Sequence, residues 1–564
     1  MRTLLVQLPI PPLSHEAVRG NVPYAAGCLV LYARGVGAVH EGDIAILPSR
    51  EANRLGDRAL LEAILGYHPD VVGFSTYLWN SERTRHLAAR LKERAPGLRI
   101  ALGGPEVSPD NEWLWNAGVA DHAVTGEGEA AFAALLAGPE ASRPPPLASL
   151  DAVSSPYLAG VLPVEPGEPF LLETSRGCRF ACRYCSYPQG YDRTLRASPE
   201  RISANLRYAR EHGATEVCFL DPTLNQRRDF ADFLRLLSEA NLPPRLPLDA
   251  ELRAESITSE HARLLREAGF RELEIGLQSV SPEAQRLMGR RTPLDLFERG
   301  VRALRAEGIR AKVDLIVGLP GDTPETVRAG MRFLRDRDLF DSIQVFPLAV
   351  LPGTAFRHDA ARLGLSFDPR PPYLVHRTPL LGPDDIAGLL AEAEEVFDLT
   401  FDPVPPPDFA ATDGPDLARV LAVDLWREDP AIPPRTASFM TLRLSTRDAF
   451  ATRRRAARLI RDLLTAEPFS GLQVILETPE PFPFDVFEAI EEAFAQPERP
   501  YHETVRSHLP GRPPTARRIA VVLPAAARAE AGEDWVRDAA VHAEVFFRHG
   551  ERFVPAGQDG RSPA

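Results

Sequence analysis

Short apolar runs alternate with helical stretches along the first third of the chain. The strand candidates are Leu4–Leu8, Asp43–Leu47, Asp70–Ser75, Arg99–Leu102 and His122–Val124. Between them, apolar residues recurring every three to four positions predict helices over Tyr24–Ala33, Asp57–Leu65, Ser81–Glu93, Asn111–Ala117 and Glu129–Leu136. Near-continuous apolar strands separated by helices predict a parallel sheet covered on both faces. Ligands of such sheets sit past the carboxyl ends of the strands. There the chain reads Ser75-Thr-Tyr-Leu-Trp-Asn80, Gly103-Gly-Pro-Glu-Val-Ser108 and Gly126-Glu-Gly-Glu129.

A second set of strands follows with a different pattern. Asp249, Glu251 and Arg253 alternate with Leu248, Ala250 and Leu252. Glu272, Glu274, Gly276 and Gln278 alternate with Leu273, Ile275 and Leu277, and Asp314 stands against Val313, Leu315 and Val317. Successive side chains of a strand point to opposite faces, so one face of each strand is polar and the other aliphatic. That predicts a barrel with a polar lumen and aliphatic contacts to an outer ring of helices. The strands are Phe170–Thr174, Glu216–Leu220, Leu248–Arg253, Glu272–Gln278, Ala311–Val317 and Ser342–Phe346, which makes a partial (β/α)6 barrel.

The C-terminal third is less patterned. Strands at Ser438–Leu444, Leu472–Leu476 and Arg518–Leu523 alternate with helical patterns at Arg447–Leu464, Pro483–Phe494 and Trp535–Phe547, predicting a compact α+β or α/β domain. The Pro- and Ser-rich stretch Gly138–Gly167 and the run Pro403–Asp408 read as connectors. The expected division is a Rossmann-like sheet domain at 1–140, a linker at 141–168, the barrel at 169–360 and a connector at 361–410. An accessory domain follows at 411–554, and then a disordered tail at 555–564.

Composition narrows the function. A chain of 564 residues, 44% hydrophobic and 25% charged, can bury several cores. Its net charge of −13 argues against nucleic-acid or anionic-membrane partners, and no apolar run approaches the length of a membrane span. Met1 leads straight into the strand-like Thr3–Pro9, and the five cysteines form no disulfide framework, so a reducing cytoplasm is expected. Cys28 and Cys218 lie in apolar patterns and read as small buried hydrophobes, and His502, His508, His542 and His549 as surface residues.

The remaining three cysteines carry the chemistry. Cys178, Cys182 and Cys185 stand in a C-x3-C-x2-C spacing inside Glu173-Thr-Ser-Arg-Gly-Cys-Arg-Phe-Ala-Cys-Arg-Tyr-Cys-Ser-Tyr-Pro188. Three soft thiolates on one loop can hold three irons of a four-iron cluster and leave the fourth open to a small molecule. The alternatives are a zinc site or three unrelated buried thiols, but zinc usually takes four ligands and no second cysteine pair exists.

The spacing, with Tyr184 before its last cysteine and the barrel after it, resembles the radical S-adenosylmethionine (SAM) enzymes. With the three N-terminal motifs ahead of it, the chain resembles their cobalamin-dependent members, including a largely uncharacterised subgroup. The resemblance implies a [4Fe–4S] cluster on Cys178, Cys182 and Cys185. It assigns SAM to Glu251, Arg253 and Gln278 on the ribose and carboxylate side, and to Tyr184 and Val317-Gly318-Leu319 on the adenine side. A turn near Asp221 would meet the methionine amine, although a G-G-E run is absent there. Cobalamin would lie with Gly103, Gly104, Gly126, Glu127, Gly128 and Ser108 toward its nucleotide tail, and with Thr76, Tyr77 and Trp79 near the ring.

The D-x-H-x-x-G motif, whose histidine ligates cobalt in many cobalamin proteins, is missing. Either cobalt has no lower protein ligand here or the domain has lost its cofactor. The implied activity is methylation of an unactivated carbon of a small molecule or peptide, with electrons from a flavodoxin- or ferredoxin-type donor. A rearrangement, cyclisation or oxidation is the alternative within the family. A non-catalytic iron–sulfur sensor is the alternative outside it.

Overall fold

A computed structural model describes residues 1–138, 144–187, 193–427, 431–495, 500–506 and 515–557. The first five strands, Thr3–Gln7, Ile44–Ile46, Val71–Ser75, Arg99–Gly103 and His122–Val124, pair in parallel in the spatial order 2-1-3-4-5. The sense in which successive strands are added reverses between the first and third strands, and their carboxyl ends open a crevice there. Leu5, Val72, Phe74 and Leu102 are buried on the two faces, as near-continuous apolar strands require. The helices Tyr24–Gly35, Asp57–Gly66, Ser81–Arg94 and Gly128–Ala137 fall where periodicity places them. The short helix Ser49–Arg54 is additional, and the expected Asn111–Ala117 helix contracts to Glu112–Trp115.

The barrel strands are also all parallel, but they form two sheets. Phe170–Leu172, Val217–Phe219 and Leu248–Asp249 make one; Glu251–Leu252, Glu272–Gln278, Arg310–Val317 and Ser342–Pro347 make the other. The expected third strand therefore breaks at Ala250, pairing backward before the break and forward after it. No ladder joins Phe170–Leu172 to Ser342–Pro347 among the described residues, so the barrel is open along that seam. Leu273, Ile275 and Leu277 are fully buried against the outer helices, while Glu272, Glu274 and Gly276 face inward. Ser198, Thr258, Ser281 and Thr323 accept from backbone N–H groups in the first turns of the helices that follow them, which fixes where those helices begin.

The expected connector at 361–410 is partly structured. Pro383–Phe397 is a helix whose Ile386, Leu389, Leu390, Ala393 and Phe397 are buried against the last barrel strands. Their spacing is the apolar stripe of an amphipathic helix, so this segment is barrel wall.

In the C-terminal domain the strands Ala418–Asp424, Thr436–Ser445, Gly471–Glu477, Arg518–Pro524, Glu544–His549 and Arg552–Pro555 pair in sequence order. All pairs but the last are parallel, so the domain is the α/β alternative. The helix expected over Trp535–Phe547 ends at Ala539, and Glu544–His549 is a strand. Val545, Phe546 and Phe547 are buried on alternate faces of the sheet, and that packing overrides the helical spacing. Pro555 closes the last strand, while 558–564 and His508 lie outside the described residues. His502 is half-buried on the Pro11 carbonyl at 2.9 Å, and His542 stacks on Phe487, so neither is a free surface histidine.

This domain is joined to the N-terminal sheet domain by buried polar contacts. Asp57 bridges Arg83 at 2.8 Å and accepts from the Phe469 N–H at 2.9 Å. Glu467 takes Arg58 at 2.9 Å and the Thr436 hydroxyl at 2.6 Å, and the Gly56 N–H donates to the Thr436 carbonyl at 2.8 Å.

Candidate functional site

The cysteine loop leaves the first barrel strand and is fastened at both ends. Asp221, at the carboxyl end of the second strand, is buried and accepts from the Thr174 N–H at 2.9 Å, the Thr174 hydroxyl at 2.7 Å and the Ser175 hydroxyl at 2.6 Å. Expected as a contact for the methionine amine, Asp221 is thus engaged in holding the loop. Buried Gln226 accepts from the Arg179 N–H at 3.0 Å and donates to the Gly177 carbonyl at 3.1 Å. On the far side the Arg183 N–H donates to the Met288 carbonyl at 2.9 Å, and the Arg183 side chain pairs with Asp359.

Cys178, Cys182 and Cys185 are all free thiols and half-buried. Burial pushes the Cys178 thiol up and the Cys185 thiol up to about 12, and each feels its neighbours' charge. Among the described residues no three His, Cys, Asp or Glu side chains converge on one metal ion. A four-iron cluster needs no such convergence, because each thiolate binds a different iron. Three half-buried sulfurs on one pinned loop fit that group.

The lumen below is lined in layers. Lys312 bridges Glu274 at 2.9 Å, with Asp314 and Glu251 around them. Enclosure and then the Glu274 charge push Asp314 up to about 8 and Glu251 up to about 7. The Asp314 Oδ1 atom is buried with no partner, and so is the Gln278 Oε1 atom. Gln278 adopts a left-handed backbone (φ 66°) at a bulge and folds its amide over Gly276, where a Cβ would stand 2.1 Å from Nε2. These orphaned acceptors, Gln278 at a strand end and Asp314 within the next strand, fit a ligand rich in donors, as the ribose and amine of SAM are.

The other expected SAM residues are differently placed. Arg253 is buried, pairs with Glu255, donates to the Arg291 carbonyl at 2.9 Å and lies 4.2 Å over the Phe180 ring of the cysteine loop. Its charge is therefore taken, and the cation–π contact with Phe180 braces the loop. The Val317 side chain is buried in the barrel wall, and a Cβ on Gly318 (φ 98°) would meet Leu348, Val375 and Ile386, so only their backbone is available to a ligand. Tyr184 packs toward Phe356, and burial drives its phenol far above the ordinary range. Cys218, expected in the core, is half-buried in the lumen beside Asp249.

The N-terminal domain presents its strand ends to this mouth. Asn80 shapes the first loop, accepting from the Tyr77 N–H at 2.8 Å and donating to the Leu8 carbonyl at 2.9 Å. Tyr77 and Trp79 then stack with centroids 4.8 Å apart and planes 3° from parallel. Tyr77 lies within electrostatic reach of Tyr187 on the cysteine loop. Thr76 is fully buried with an unpartnered hydroxyl. Gly104 (φ 107°) passes so close that a Cβ would be 2.5 Å from the Thr76 carbonyl, which binds the first two loops into one edge. Gly103 packs on Val124, whereas Gly126 (φ 70°) has open space where a Cβ would stand. That opening and the orphaned Thr76 hydroxyl fit a bulky polar cofactor laid across the strand ends. Ser108 keeps its carbonyl on the Trp115 indole N–H at 2.8 Å.

Two contacts that sequence reasoning missed hold this domain on the barrel. Arg176 forks onto Glu173 at 2.6 and 2.8 Å and reaches Glu129 at 2.7 Å and Glu127 at 3.5 Å, so Glu127 is part of an interdomain ion network at the start of helix Gly128–Ala137. The Tyr373 hydroxyl donates to buried Glu106 at 2.6 Å and accepts from Asn111 at 3.0 Å. The contacts that cross between the domains have no local signal, because Arg176 is 47 residues from Glu129 and Tyr373 is 267 from Glu106.

Comparison with known proteins agrees with this geometry. Residues 31–136 match the B12 binding domain family and residues 172–334 the Radical SAM superfamily. The chain is 26% identical over 326 residues to the cobalamin-dependent radical SAM methyltransferase TokK of Streptomyces tokunonensis. It is 25% identical over 324 residues to the 2-(S-pantetheinyl)-carbapenam-3-carboxylate methyltransferase of Streptantibioticus cattleyicolor. Each match covers 50% of this chain and 47% of the relative, so the chain spans about half the length of the curated relatives it matches. The solved structure of the radical SAM methyltransferase TsrM from Kitasatospora setae, with tryptophan and aza-SAM bound, superposes with a TM-score of 0.55 at 19% identity. That superposition covers 70% of this chain and 89% of TsrM. The chain thus places a match to the B12 binding domain ahead of a match to the Radical SAM superfamily, and is similar along that stretch to cobalamin-dependent radical SAM methyltransferases.

Proposed function

We propose that this chain methylates an unactivated carbon of a small-molecule or peptide substrate, using SAM, a [4Fe–4S] cluster and cobalamin. The observation that carries the reading is the pinned Cys178–Cys185 loop beside a polar lumen, with the B12-binding domain held against the same barrel by Arg176 on Glu129 and Tyr373 on Glu106. The cluster would supply the electron that opens SAM to a carbon-centred radical, and cobalamin the methyl group.

The chain's own work is placement. Asp221 and Gln226 fix the cysteine loop against the barrel, and Phe180 on Arg253 braces it. Gln278 and Asp314 would offer acceptors to the ribose and amine of SAM. Arg176 and the Tyr373–Glu106 contact hold the sheet domain over the mouth. The gap between the two domains then sets which carbon can enter and keeps water out. The Tyr77–Trp79 stack would offer a flat aromatic face beside a corrin ring held at these strand ends.

The test is anaerobic reconstitution followed by metal counting and SAM cleavage under reducing conditions. About four irons and one cobalt per chain are expected. Cys182→Ala should lose the cluster and cleavage together, and a variant keeping both would refute the ligand assignment. Four irons without cobalt would refute methyl transfer from cobalamin and leave the non-methylating radical reading.

A further inference from the structure

A cleft of about 440 Å³ opens beside the cysteine loop, outside the lumen, lined by Arg179, Thr194, Arg196, Gln226, Arg228 and Asp229. The chain carries a net charge of −13, so three guanidiniums around one opening run against its overall charge. Asp229 is the single carboxylate in the lining, and Arg227 bridges it at 3.1 Å from a position stacked over Phe233. Arg196 also bridges Asp229, at 3.2 Å, so this one carboxylate offsets only one of the four guanidiniums of Arg179, Arg196, Arg227 and Arg228, and the opening keeps a net positive charge. Arg196 and Arg228 are exposed at the rim.

The cleft is also the short way to the cluster. Arg179 adjoins Cys178 in the chain, and its guanidinium donates to the Gln226 carbonyl at 2.9 Å. Gln226 forms the floor and donates to the Gly177 carbonyl on the other side of Cys178. One wall of the cleft is therefore the peptide that flanks a cluster ligand.

We propose that this cleft is the docking surface for a small acidic one-electron carrier protein, flavin- or iron–sulfur-based. The inference rests on the radical chemistry proposed above. One electron passes from the reduced carrier to the cluster held by Cys178, Cys182 and Cys185; the carrier is oxidised by one electron, the cluster is reduced by one, and no bond is made or broken at the contact. Exposed charges of one sign beside the acceptor steer an oppositely charged carrier and orient its prosthetic group toward Arg179. Rim charges act mainly on encounter rate and salt dependence, which gives the proposal a readout separate from turnover.

The experiment uses the full-length reconstituted protein, a bacterial flavodoxin as probe, and the double variant Arg196→Glu/Arg228→Glu. Calorimetry with oxidised flavodoxin should show binding that weakens from about 50 to about 300 mM salt. The variant should bind roughly 10- to 100-fold more weakly, with little salt dependence left. SAM cleavage driven by sub-saturating reduced flavodoxin should fall by a similar factor, while cleavage driven by dithionite stays at the wild-type rate. The pair Arg196→Gln/Arg228→Gln should shift affinity in the same direction by less, and it replaces the reversal variant should that fail to fold or to hold iron. Unchanged affinity, salt-independent wild-type binding, or equal loss with both reductants would overturn the docking assignment. So would wild-type cleavage with dithionite but none with flavodoxin. Absence of cleavage with either reductant would instead refute the radical reading, while the affinity measurement still decides the docking surface.

Discussion

Glu106 gives the sharpest quantitative test of how the two cofactor domains are joined. It lies in the Gly103–Ser108 loop, is 2% exposed, and accepts from the Tyr373 hydroxyl of the segment that follows the barrel. Burial raises its carboxyl from 4.5 to about 7, against opposing help from Tyr373, Arg357 and Asn111. In the unfolded chain it ionises near its ordinary value, so between pH 4.5 and pH 7 the folded form holds a proton that the unfolded form has lost. Stability must therefore fall as pH rises through that window. A difference of about 2.5 pKa units corresponds to about 3 kcal/mol, absent below pH 4.5 and fully expressed above pH 7. Glu106→Gln keeps an oxygen for Tyr373 and removes the charge. It also adds an amide donor without a ready partner, a cost of about 1 to 3 kcal/mol that is the same at every pH. The quantity to measure is thus the variant-minus-wild-type difference in urea unfolding at pH 5 and again at pH 8. The variant should gain about 3 kcal/mol on the wild type between the two. Parallel pH profiles would refute the argument, because they would mean that Glu106 is solvated and the domain contact is open in solution.

Three further outcomes follow from close contacts. Gly104→Ala must hold a side chain at φ 107° with its Cβ 2.5 Å from the Thr76 carbonyl. A backbone strain of about 1 to 3 kcal/mol should spread the first two loops and lower cobalt content after reconstitution, leaving iron unchanged; wild-type cobalt would show that the loops do not carry the cofactor. Asp57→Ala strands Arg83, whose side chain is 1% exposed, and should cost about 3 to 5 kcal/mol in chemical denaturation, partly recovered by adding Arg83→Leu. A loss below about 1 kcal/mol would place water at that pair. Gln278→Leu removes the orphaned acceptor folded over Gly276 and should weaken SAM binding by roughly tenfold at an unchanged iron count, as equilibrium dialysis would show; unchanged affinity would remove Gln278 from the SAM site.

How much of this was legible in the sequence depended on the range of the interaction. All five strands of the first sheet fell within a residue or two of their expected positions, since their burial on both faces leaves an apolar run that needs no partner to be read. The cysteine loop was legible because ligand spacing is local. The break at Ala250 was not, because it comes from the closure of two sheets around a lumen: Leu248 pairs with Val217 and Glu251 with Glu274. The strand Glu544–His549 was read as helix because Val545, Phe546 and Phe547 mark burial without marking period.

The least legible features are the ones that turn three domains into one site. Arg176 on Glu129, Tyr373 on Glu106 and Arg58 on Glu467 are polar groups in buried or half-buried places, where sequence pattern expects apolar residues. A charged residue reads as surface until its partner is known, and the partners lie far away in the chain. Burial of such groups demands a partner with correct geometry, so a displacement of either domain would strand a charge on both sides. Apolar contacts tolerate sliding, whereas these do not. The placement of the B12-binding domain on the barrel is therefore specified by the residues that pattern alone would assign to solvent.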